Sequence, residues 1–169
     1  ANILAEVAGF SMTSDAKDIV NPSKKGAARA IFGALQDAKF NIEDVGYINA
    51  HGTGTLANDK TECAAIKEVF KNHTKELMIS STKSMHGHLI GGTGAVELLA
   101  CLLALNESVI APTINYIKSD PDCDLDIVPN TARQQNVNCV LSNSFAFLIL
   151  AWLWMRLMLF IVDLLKPQS

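Results

Sequence analysis

The chain has 169 residues, 49% of them apolar, with a mean hydropathy of +0.21; this fits one domain with a sizeable core. A net charge of −3, a pI near 5.8 and the lack of any basic run argue against nucleic acid as a partner. The four cysteines (Cys63, Cys101, Cys123 and Cys139) are scattered, the usage of a reducing compartment rather than of a disulfide framework or a zinc site.

The sequence opens without methionine, inside a strand-like stretch over residues 3–7, and shows no charged start leading into an apolar segment. It reads as a piece of a longer protein, with no signal peptide. Asn21-Pro22 is a helix start, with asparagine as cap and proline in the first turn. Ala27, Ala30, Ile31, Ala34, Leu35 and Ala38 then form a helical apolar stripe. Residues 41–44 are a polar turn and 45–50 a short apolar strand. A glycine-threonine loop follows over 51–58. Asp59 is placed to cap the next helix, whose inward face is read as Cys63, Ile66 and Phe70.

Residues 78–81 form another short strand, leading into a loop bearing Lys83, His86 and His88. The helix predicted over 92–106 is apolar almost all round, which predicts burial on more than one side. Residues 112–116 are extended, 120–124 a turn, and 125–128 and 137–142 strands. Strands alternating with helices give an α/β fold class. The last segment is anomalous: residues 145–162 are nearly continuous apolar sequence broken by Arg156. That is long enough for a membrane span, although a central arginine costs about 2.5–3.5 kcal/mol on insertion.

Two motifs carry the chemistry. Asn49-Ala50-His51-Gly52-Thr53-Gly54-Thr55 and Lys83-Ser84-Met85-His86-Gly87-His88 each set a histidine beside glycines where a strand hands over to a helix. The second histidine follows the first by 37 residues, and acidic residues (Glu62, Glu97) follow each motif. Further phrases recur in Ala111-Pro112-Thr113-Ile114-Asn115, Cys123-Asp124-Leu125-Asp126 and Leu141-Ser142-Asn143-Ser144-Phe145. Together they resemble the C-terminal half of the β-ketoacyl-acyl-carrier-protein synthases, spread over roughly residues 3–147. The spelling is nearest the discrete fatty-acid elongation type, with a modular polyketide flavour in His51-Gly52-Thr53-Gly54-Thr55.

The resemblance implies the C-terminal half of a thiolase-like layered sandwich, with buried helices between mixed sheets. It implies decarboxylative condensation of an acyl group with malonyl-acyl-carrier protein to give a 3-oxoacyl product. His51 and His88 would donate N–H bonds to the thioester oxygen as the enolate forms. Lys83, salt-bridged to Glu62, would organise them, Glu97 would join a hydrogen-bond network, and Phe147 would contribute a backbone N–H to an acyl oxyanion hole. Thr53 and Thr55 would hold the phosphopantetheine arm. His86 falls outside the pattern, and a metal site built from His51, His86 and His88 lacks ligand spacing. No metal or resident cofactor is implied, since the arm arrives on the carrier protein. Acyl carrier protein, acyl and malonyl thioesters and a homodimer partner are expected, in a cytoplasmic or organellar setting.

Two departures qualify the match. No segment resembles the nucleophilic cysteine turn of the family's N-terminal half, so this chain alone is expected to be inactive. The glycine-rich ending is also replaced by Ala146-Phe147-Leu148-Ile149. The domain is therefore drawn over residues 1–147, with 148–169 set apart as an anomalous tail. Altered coding sequence, a helix or strand packing on a partner, and a membrane anchor with Trp152 and Trp154 at the interface all remain open for it. A non-catalytic partner that keeps a pantetheine groove, a polyketide ketosynthase and an inert product are the alternatives in function.

Overall fold

The computed structural model describes residues 3–15, 18, 21–146 and 155–163. Its centre is a five-stranded mixed sheet built from β1 (Glu6–Asp15), β2 (Tyr47–Asn49), β3 (Met78–Ser80), β6 (Cys139–Ala146) and β7 (Met155–Asp163), in the order β1-β7-β6-β2-β3. β2 runs parallel to both β3 and β6, while β7 is antiparallel to β6 and β1. Among the described residues four α-helices accompany it: α1 (Lys24–Ala38), α2 (Leu56–Phe70), the single turn α3 (Lys83–His86) and α4 (Thr93–Glu107). The short strands β4 (Val109–Ile110) and β5 (Arg133–Gln134) form a separate antiparallel pair.

The period-two alternation of side chains sorts the sheet into two faces. Ile48, Leu141 and Ile161 stand side by side across β2, β6 and β7 and join the core under α1 and α2. Their neighbours Tyr47, Val140 and Val162 point the other way, into the core under α4. The result is a helix–sheet–helix sandwich of the α/β class, as expected. β1 crosses so close to α1 that a side chain at Gly9 would meet the Ala34 carbonyl oxygen at 2.6 Å. Only glycine allows that approach.

Several local expectations shift. The cap of α1 is Ser23, whose hydroxyl accepts the Gly26 N–H; Asn21 and Pro22 lie before it. α2 starts three residues before Asp59, and its buried residues are Asn58, Glu62, Ala65, Ile66 and Phe70, with Cys63 half-buried at the edge. α4 is buried along Thr93, Glu97, Cys101, Ala104 and Leu105, yet Leu99 and Leu103 are 59% and 54% exposed. Among the described residues, burial of α4 on more than one side is therefore not met. Residues 125–128 contribute a single bridge, Met78 to Asp126, instead of a strand.

The described part of the tail joins the sheet. This part, β7, is an interior strand hydrogen-bonded on both sides, and Ile161 and Val162 are fully buried. At Ile161 and Val162 the strand is covered on both faces and needs no polar side, so the sequence there reads as a continuous apolar run after Arg156. Phe147, Trp152 and Trp154 lie outside the described residues.

Candidate active site

The parallel strands β2 and β3 deliver the histidine motifs to the same edge of the sheet. His51 follows the end of β2, while Lys83 and His88 follow the end of β3. Beside them β6 supplies Asn143 and Phe145. Carboxyl ends of parallel strands are where α/β sheets leave a crevice. Here the crevice is a cleft of about 470 Å³, whose lining includes Gly52, Thr53, Glu62, Lys83, His88 and Thr113.

The two imidazoles meet. The ring centroids of His51 and His88 are 5.5 Å apart, with the planes at 86°, and Phe145 lies 5.1 Å from His51 on another side. His51 is buried behind the lining, whereas His88 reaches the cleft itself. Burial, then the positive Lys83, then His88 push the His51 imidazole down to about 3, so it is neutral over the physiological range. His88 is set by a hydrogen bond: its Nδ1 accepts the backbone N–H of Ile90 at 3.0 Å. A backbone amide can only donate, so the His88 proton sits on Nε2. Thr93 Oγ1 stands 3.3 Å from the same Nδ1.

Glu62 holds the His51 turn by its backbone. Its Oε1 accepts the His51 N–H at 2.8 Å and its Oε2 the Gly52 N–H at 2.9 Å. The side-chain amide of Asn143 donates to Oε1 at 2.9 Å, and Asn58 approaches Oε2 at 3.5 Å. Burial pushes this carboxyl up; the Gly52, Asn143 and His51 donors and then Lys83 pull it back. Gly52 itself has φ +36°, and a side chain there would lie 2.5 Å from Ser81 Cβ. The loop can turn this tightly only with glycine.

Lys83 makes a buried ion pair with Glu97 on α4, correcting the expected partner, Glu62. Glu62 is already saturated by amide donors, while Glu97 comes from the facing helix and takes a second bond from Ser144 Oγ at 3.4 Å. Burial pushes Glu97 up and Lys83 pulls it back. Thr53 and Thr55 project together, their hydroxyls 2.8 Å apart, and Thr53 lines the cleft. His86 is turned aside, bonded to the Gly87 carbonyl at 2.7 Å and to Thr82 Oγ1 at 3.2 Å. Among the described residues no group of three His, Cys, Asp or Glu side chains is placed to hold a metal.

Sequence reasoning missed Asn58, Asn143 and the amide of Ile90. Asn58 could have been found four residues before Glu62, on one helix face; the other two become visible only when strands and loops are assembled.

A family model described as "Beta-ketoacyl synthase, C-terminal domain" matches residues 4–117. The chain belongs to the β-ketoacyl synthase family. Among curated relatives, Nodulation protein E of Rhizobium sp. (strain N33) is 51% identical over 146 residues, 86% of this chain and 36% of that protein. The 3-oxoacyl-[acyl-carrier-protein] synthase 2 of Synechocystis sp. is 50% identical over 149 residues, 87% of this chain and again 36% of the relative. The chain thus spans little more than a third of the length of these relatives. Among solved structures, the ishigamide ketosynthase/chain length factor superposes with a TM-score of 0.90 at 41% identity, over 98% of this chain and 39% of that one. A type II PKS acyl-carrier protein in complex with its ketosynthase gives 0.91 at 34% identity, over 98% and 40%. The fold is therefore the thiolase-like ketosynthase fold.

Proposed function

We propose that this chain carries the decarboxylating centre of a 3-oxoacyl-[acyl-carrier-protein] synthase. The carrying observation is the pair of rings 5.5 Å apart, one kept neutral by burial and the other with its proton fixed on Nε2. When a malonyl thioester loses carbon dioxide, the electron pair of the broken C–C bond moves onto the thioester oxygen. Two N–H donors converging there stabilise that charge without surrendering a proton. Lys83 does not touch the oxygen in this reading. Its field adds to the burial that keeps His51 unprotonated, and its pair with Glu97 joins the site to α4. The released enolate carbon would then attack an acyl thioester, whose nucleophilic carrier this chain does not supply.

Thr53 and Thr55 are assigned to the pantetheine arm, supported by the place of Thr53 in the cleft wall and the hydroxyl of Thr55 paired with it. Acyl carrier protein as the partner is supported by the neighbour described in complex with one. Fatty-acid elongation is favoured by likeness to the synthase 2 proteins. A second reading, a ketosynthase-like partner that sets chain length, is favoured by the neighbour titled ketosynthase/chain length factor.

The test replaces the matching segment of the Synechocystis synthase with this chain and measures carbon dioxide release from malonyl-acyl-carrier protein. Release should occur, and His88→Ala should slow it about 10²–10³-fold, the usual effect of losing one oxyanion donor. Unchanged release in His88→Ala would overturn the assignment. Decarboxylation without condensation would favour the second reading.

A further inference from the structure

A pair of thiols faces the same cleft without a part in the reaction proposed above. Cys63 on α2 and Cys123 at the end of the single-turn helix Pro121–Cys123 both line its wall, and both are half-buried free thiols. α2 packs directly against the Pro121–Cys123 turn, and the two thiols are near enough for each to shift the other's ionisation. Sixty positions separate them in the sequence, so the fold makes this contact. Two ion pairs bracket it. Lys60 Nζ meets Asp122 Oδ2 at 2.9 Å, and Lys67 meets Asp124. Lys60, Cys63 and Lys67 fall at i, i+3 and i+7 on one face of α2, opposite the consecutive Asp122, Cys123 and Asp124. Each exposed pair contributes little stability alone, but one on either side fixes which residue of the turn stands against Cys63. The turn is also braced internally, since Asp120 accepts the Asp122 N–H through its side chain and the Cys123 N–H through its carbonyl, both at 2.9 Å. Cys101 and Cys139, by contrast, are fully buried in the two separate cores.

We propose that Cys63 and Cys123 are a reversible modification site, a dithiol that closes to an intramolecular disulfide with a small-molecule disulfide as oxidant. The thiolate of one cysteine attacks a sulfur of the oxidant, breaks its S–S bond and releases one small thiolate. The other cysteine, giving up its proton, attacks the protein sulfur of the mixed disulfide and expels the second. Two electrons pass from the cysteine sulfurs to the oxidant, which leaves as two thiols carrying both protons. Burial is the first cause pushing each thiol up, so thiolate is scarce at neutral pH and closure is faster in mild alkali. The link ties α2, one residue beyond Glu62, to the turn that walls the cleft. Redox state thereby sets how far that wall can move.

The whole chain is incubated with oxidised glutathione in mild alkali, quenched in acid, and examined by thiol counting and non-reducing peptide mapping. Two of the four thiols should disappear into one Cys63–Cys123 link that dithiothreitol reverses, while a sample in denaturant should not give that link as its main product. Survival of all four thiols, stable glutathione adducts in place of the link, or equal yield of the link in denaturant would each overturn the proposal.

Discussion

Acidification should expose how His51 is held. In the folded chain its imidazole gains a proton near pH 3, against 6.5 for an unperturbed ring. Between these values the unfolded chain binds a proton that the folded chain refuses. Unfolding free energy therefore rises with pH across this window, and stability is lost as pH falls through it. For a single site with these two values, the penalty is about 0.2 kcal/mol at pH 7 and about 2 kcal/mol at pH 5. The chain should thus lose about 2 kcal/mol from this residue alone over two pH units. Other groups titrate in the same range, so the comparison is with His51→Asn, which cannot take the proton. Urea unfolding followed by far-UV circular dichroism at pH 7 and pH 5 gives the two stability differences. Wild-type and variant should differ in their pH dependence by that 2 kcal/mol, with the variant flatter. Parallel pH profiles would refute the claim that His51 is kept neutral by its surroundings.

Three further outcomes follow from the same geometry. Lys83→Met alone should cost about 3–5 kcal/mol by stranding a buried carboxylate, and adding Glu97→Leu should recover most of it; urea midpoints that fall additively would deny the pairing. Glu62→Gln puts an amide donor against the N–H of His51 or Gly52 and should destabilise by about 2–4 kcal/mol. In the Synechocystis chimera it should also lower malonyl decarboxylation, and full stability with full activity would remove Glu62 from the turn. Gly52→Ala should cost about 1–3 kcal/mol through its positive φ and the Ser81 contact, and an unchanged thermal midpoint would show that the loop has room.

The histidines were legible because their motifs are local, with glycine beside histidine at the end of a short apolar strand. Their partners were not. Two acidic residues follow the histidine motifs, and nothing in the spacing of Glu62 or Glu97 says which is already occupied by backbone amides and which pairs with Lys83. The edge position of Cys63 was obscured for a related reason. Its helix buries Glu62 and Asn58, polar residues that a hydrophobic stripe leaves out of the count. β7 misled most, since an apolar run with no alternation has the signature of a membrane span as much as of an interior strand. The two-residue strands β4 and β5 carry no periodicity at all.

Among the described residues, β1 hydrogen-bonds to the rest of the sheet only through β7. Remove that keystone and the first strand, with α1 seated on it, is left two strand spacings, roughly 9–10 Å, from β6. Both newly bared backbone edges would then be open to pairing with other chains. A truncation before Met155 would leave an adhesive remnant in place of a smaller domain: the stretch whose composition looks most foreign is what closes the sheet.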